Sequence, residues 1–144
     1  PTAEILEDAR VEVRRYCWFR NEEVTRLDQL SHKLRSLNGE SSGRIHRAVL
    51  LRELLLSGLE LAESKAQPLD VFTGHGVRFV YSLTLEDVAR VKRLSESLWP
   101  RPKGRPSLEN FRAALMRLAL RAAETDESFA RAFAARALRA SESA

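Results

Sequence analysis

Twenty of the 24 basic side chains in this 144-residue chain are arginines, against four lysines (Lys33, Lys65, Lys92, Lys103). The guanidinium is a planar, permanently charged fork that matches phosphate oxygens and the edge of guanine. A GC-rich genome would enrich arginine codons as well, so composition alone selects no partner. Position says more. Arg14, Tyr16 and Trp18 alternate along one short segment, and Arg78, Val80 and Ser82 along another; alternate residues of a strand share a face. The most basic stretch, Pro100 to Ser107 (PRPKGRPS), carries Arg101, Lys103 and Arg105 in a proline-broken loop. Catalytic chemistry has no comparable support. The three histidines, His32, His46 and His75, lack metal-ligand spacing with one another or with Cys17, and Gly74-His75-Gly76 is too short for a phosphate loop. No nucleophile–base–orienter set or close carboxylate pair stands out, so neither an enzyme nor a cofactor or metal is expected.

The rest of the composition bounds the setting. A net charge of +4 with 44% hydrophobic and 31% charged residues describes a globular chain rather than a disordered tail. The single cysteine excludes an internal disulfide and suits a reducing compartment. Apolar runs such as Ala48–Leu51 and Leu54-Leu55-Leu56 reach at most four residues, far short of the ~20 of a membrane span, and Pro1 to Arg10 lack the charged start and apolar core of a signal peptide. A cytoplasmic location away from membranes is the expectation.

Self-similarity organises the elements. Displacing the sequence by 64 lays Val13 on Val77, Glu22 on Glu86, Val24 on Val88, Arg26 on Arg90, Leu30 on Leu94 and Leu34 on Leu98. One extra residue in the second loop then brings Ser42 onto Ser107, Arg47 onto Arg112, Leu50 onto Leu115 and Arg52 onto Arg117. Each copy opens with a β-branched and aromatic segment, Val13 to Phe19 or Val77 to Leu83, which favours a strand. An acidic helix start follows, Asn21-Glu22-Glu23 or Thr84 to Asp87. The first helix of each copy is apolar at Val24, Leu27, Leu30 and Leu34, or at Val88, Val91, Leu94 and Leu98. A Gly- and Pro-broken loop leads to a second helix capped by Ser42 or Ser107. In the first copy its Ala48–Leu61 run is apolar on more than one face and must be covered on several sides. Thr125-Asp126 caps a further helix with Phe129, Ala132, Phe133 and Leu138 at helical spacing, and Thr2 to Arg10 suggest a short N-terminal one.

Strand, then EEVTRLDQL, then loop, then SGRIHRAVL resembles the ribbon-helix-helix superfamily of Arc and MetJ, whose paired strands form a ribbon that reads DNA. The likeness covers roughly residues 13 to 60 and 77 to 122, and the chain departs by carrying both copies, as do some conjugation relaxosome accessory proteins. It implies a mostly α fold with a two-stranded antiparallel ribbon, a tandem pseudo-dimer with extra terminal helices. The organisation would be extension 1–12, first unit 13–62, linker 63–76, second unit 77–124 and C-terminal helix 125–144, sharing one core. It also implies a sequence-specific double-stranded DNA-binding protein, a transcription regulator or a conjugation or plasmid factor, monomeric until it assembles on DNA. The alternative is a protein-interaction module for a toxin, relaxase or other partner.

Registered as the family's strands are, Cys17, Phe19, Phe79, Tyr81 and Leu83 turn toward the helices. Arg14, Tyr16, Trp18, Arg78, Val80 and Ser82 then face DNA. The starts of the second helices, with Ser41, Ser42 and Arg44 in one copy and Arg101, Lys103, Arg105 and Ser107 in the other, would hold phosphates. Arg47, Arg52, Arg112 and Arg117 are expected to pair with acidic groups or cap the core edge rather than touch DNA.

Overall fold

Two strands carry the alternation that the sequence suggests. In the computed structural model, which describes residues 11–37, 39, 45–74 and 76–143, β1 (Glu12–Phe19) pairs antiparallel with β2 (Val77–Thr84). Tyr16 stands opposite Val80, Cys17 opposite Phe79 and Arg15 opposite Tyr81. One face of this ribbon is sunk in the protein, with Cys17, Phe19, Tyr81 and Leu83 at most 1% exposed. A two-stranded ribbon is marginal in water by itself, so helices must cover that face.

The described residues form five helices and are mostly helical around a two-stranded sheet. Helix α1 (Asn21–Leu37) starts where the Glu23 carboxylate accepts the Arg20 backbone N–H at 2.7 Å, and it buries Leu27, Leu30 and Leu34. Helix α2 (Arg47–Ser64) buries Leu50, Leu51, Leu54, Leu55 and Leu59. Helix α3 (Leu85–Leu98) begins at Thr84, whose hydroxyl accepts the Asp87 N–H. Helix α4 (Leu108–Thr125) begins at Ser107 in the same way, through the Asn110 N–H, and α5 (Glu127–Ser143) at Asp126, through the Phe129 N–H.

The centre of the core is the crossing of α2 and α4. A Cβ on Gly58 would fall 1.9 Å from the Leu115 carbonyl oxygen, so only glycine lets the backbones meet there. Helix α2 lies against β2 and α4 against β1, so each of these helices supports the strand of the opposite half of the chain. Helix α5 packs on α1, α2 and α4, on the helical side of the ribbon.

Three expectations need correction. The second helix of the first half begins at Arg47, not Ser42. The backbone is still extended at His46, because Ile45, 3% exposed, is inserted into the core before the chain turns helical. Helix α5 buries Ala130, Phe133, Ala134 and Ala137 and leaves Ala132 exposed; the small residues form the contact face because they permit close approach of α1, α2 and α4. Leu98 is 40% exposed, because Trp99 takes over its packing, with its ring edge-on to Phe111 at 5.6 Å. The suggested helix over Thr2 to Arg10, together with Ser41, Ser42, Arg44 and His75, lies outside the described residues.

Candidate functional site

The ribbon's outer face is built by the same alternation that builds its inner one. Arg14, Tyr16, Arg78 and Val80 are exposed, Tyr16 at 42% and Val80 at 45%, while Trp18 and Ser82 are half-buried at the margins. All six lie on one surface. Each cross-strand pair joins two of them: Arg14 with Ser82, Tyr16 with Val80 and Trp18 with Arg78. The Arg78 guanidinium sits 4.7 Å over the Tyr16 ring, a contact worth about 0.5–1 kcal/mol at an exposed site. That is enough to bias its direction and too little to lock it.

Behind this face the strand is held by a buried ion pair. Arg117 of α4 is 5% exposed and donates through Nε to Glu23 Oε2 at 2.7 Å and through Nη2 to Oε1 at 3.1 Å. The same Nη2 donates to the Trp18 carbonyl at 2.7 Å, so the pair ties β1, α1 and α4 together directly beneath the outward Trp18. The guanidinium also lies 5.0 Å over the Phe19 ring and 5.4 Å over Phe72. From the other side Arg20 stacks on Phe72 at 4.7 Å and binds Asp70 with both Nη atoms, which straps the segment between α2 and β2 against the β1–α1 junction. The Arg20 guanidinium holds the Asp70 carboxyl below its usual value.

The other matched arginines also stay with the protein. Arg47 pairs with Asp28 and lies over Phe79, Arg52 pairs with Glu12, and Arg112 is buried. Cys17 is walled in beneath the ribbon, where burial pushes its thiol up to about 12.

The basic loop divides its arginines. Arg101 and Lys103 are exposed, with Gly104 at φ +83° turning the backbone. Arg105 is folded back, donating to the Trp99 carbonyl at 2.6 and 2.9 Å and to the Pro100 carbonyl at 3.3 Å. Sequence reasoning grouped it with Lys103, and only the carbonyls that α3 leaves unpaired at its end explain why it turns inward.

A cavity of about 650 Å³ between α1 and α2 brings Asp28, His32, Arg35 and Arg47 together, with Asp28 held by Arg47 and His32 by Arg35. Among the described residues no three His, Cys, Asp or Glu side chains are grouped to hold a metal ion, and no helix is long and apolar enough to cross a membrane. No protein-family model matches the chain, and no curated protein or solved structure is significantly similar to it.

Proposed function

We propose that this chain is a tandem ribbon-helix-helix protein, two strand–helix–helix halves that close one ribbon as a pseudo-dimer within a single polypeptide. In this reading it binds double-stranded DNA in a sequence-specific way with the outer face of the ribbon in the major groove, and it serves as a transcription regulator or a conjugation or plasmid accessory factor rather than an enzyme. The observation that carries the reading is the outer face itself. One side of the ribbon is buried, and the other exposes Arg14, Arg78, Tyr16 and Val80 together. A major groove is wide enough for a two-stranded ribbon and offers guanine acceptors to arginine and thymine methyls to apolar side chains. Lys103 and Arg101 on the exposed α3–α4 loop supply phosphate contacts, and Arg105 shapes that loop from within.

Fluorescence anisotropy on a selected duplex and on random DNA, across a salt series, tests this. Arg14→Ala and Trp18→Ala each weaken the selected sequence by about 1–3 kcal/mol and leave random DNA binding nearly intact. Lys103→Ala weakens both DNAs together and lowers the salt slope by about one unit. Folded variants that all keep wild-type affinity for both DNAs would overturn the reading. Salt-insensitive capture of a protein partner, with no duplex bound, would replace it with the interaction-module alternative.

A further inference from the structure

We infer that one protomer reads a non-palindromic site in a single orientation, with the Trp18–Arg78 end of the ribbon on a guanine flanked by a thymine methyl and the Arg14–Ser82 end on a guanine flanked by a polar base edge. This rests on the DNA reading above and specifies its target.

In an antiparallel ribbon centred on the Tyr16–Val80 pair, a half-turn about the centre exchanges Arg14 with Arg78 and Trp18 with Ser82. The arginines are unchanged by that rotation, so both ends present the same guanine-seeking fork. Their neighbours are not. Arg78 faces Trp18 across the ribbon and rests 4.7 Å over the Tyr16 ring, so one end is an aromatic platform carrying a guanidinium whose direction is already biased. Arg14 faces Ser82, a small hydroxyl that can donate or accept. The centre is unequal too, since it is made of one tyrosine and one valine.

The chemistry of the groove turns this inequality into orientation. An indole gains apolar contact from a thymine methyl and, being a donor only, leaves a base amino edge without an acceptor, whereas a serine hydroxyl can accept from that amino group. Turning the duplex end for end would set Trp18 on the polar edge and Ser82 on the methyl. Each exchange falls in the range of a mismatched contact, so the two orientations should differ in affinity by about tenfold or more.

The test is selection from randomised duplexes that accommodate one protomer, carried out at equimolar stoichiometry with the wild type, Trp18→Ser and Ser82→Trp. Each substitution makes the two ends alike, in opposite senses. The wild type should return a non-palindromic site. Trp18→Ser should return a near-palindrome built from the Arg14–Ser82 half, and Ser82→Trp one built from the Arg78–Trp18 half. In anisotropy each protein should prefer its own site by about tenfold. Trp18 and Ser82 are both half-buried, so circular dichroism checks that each variant is folded. A palindromic wild-type site, or folded variants that keep the wild-type site, would overturn the orientation while leaving DNA binding in place. Enrichment of no sequence by the wild type would overturn the DNA reading and, with it, this inference.

Discussion

Replacing Arg117 with methionine tests the ion pair beneath the ribbon. Methionine keeps much of the stem's volume but none of its donors, so the variant removes two hydrogen bonds to Glu23 and the one to the Trp18 carbonyl. Glu23 is then a 2% exposed carboxylate without its buried partner. Breaking such a pair by removing one member costs about 3–5 kcal/mol. The Arg20 backbone N–H still donates to Glu23, and the Arg20 guanidinium stays 3.5 Å away, which places the expected loss near the lower end. For a chain of this size about 3 kcal/mol lowers the melting temperature by roughly 10 °C. Thermal and urea unfolding followed by circular dichroism measure the loss. Glu23→Gln retains an oxygen for the Arg20 N–H, so the double variant should lose less than the sum of the singles, by about 1 kcal/mol or more. A melting temperature within about 1 °C of wild type for Arg117→Met, or strict additivity in the cycle, would refute the assigned role.

Gly58→Ala forces a methyl against the Leu115 backbone, which no side-chain rotation can relieve, and should cost about 1–3 kcal/mol or more in urea unfolding. The Cys17 thiol, buried and with its pKa pushed up to about 12, should resist a disulfide-exchange reagent at neutral pH and react only as the protein unfolds; a fast stoichiometric reaction in the native state would contradict the burial. Because Arg20 holds the Asp70 carboxyl below its ordinary 3.8, the stabilisation from this pair is present above that value and lost as pH falls through the folded value. The melting-temperature difference between wild type and Asp70→Asn should therefore be small, as befits an exposed pair, and should vanish in acid; a difference that grows with acidification would reverse the sign. Ser107→Ala removes the hydroxyl that accepts the Asn110 N–H and should cost about 1 kcal/mol without altering the α3–α4 loop contacts of Arg105.

Local grammar was legible wherever the deciding contacts lie within a few residues. The period-two pattern of VRRYCWF and VRFVYSL marks two strands with distinct faces, and Cys17, Phe19, Tyr81 and Leu83 are indeed the buried side. Thr84, Ser107 and Asp126 cap the helices that follow them, since a cap needs only a hydroxyl or carboxylate three residues ahead of a free N–H. The same reasoning misplaced the start of α2. Whether Ile45 is inserted into the core or rides on a helix depends on space left by other elements, and the analogy with Ser107 carries no information about that space.

What the sequence determined by itself, then, was which segments are strand or helix and which side chains share a face, because hydrophobic spacing and capping act over one or two turns. Only the tertiary structure decided that Arg117 finds Glu23 ninety-four residues away, that Gly58 meets the Leu115 backbone, that Arg105 turns inward while Lys103 stays in solvent, and that Trp18 stands across from Arg78. Each of these is settled by which distant backbone occupies the neighbouring volume and which polar groups it leaves unpaired, and neither quantity is encoded in the spacing of residues along the chain.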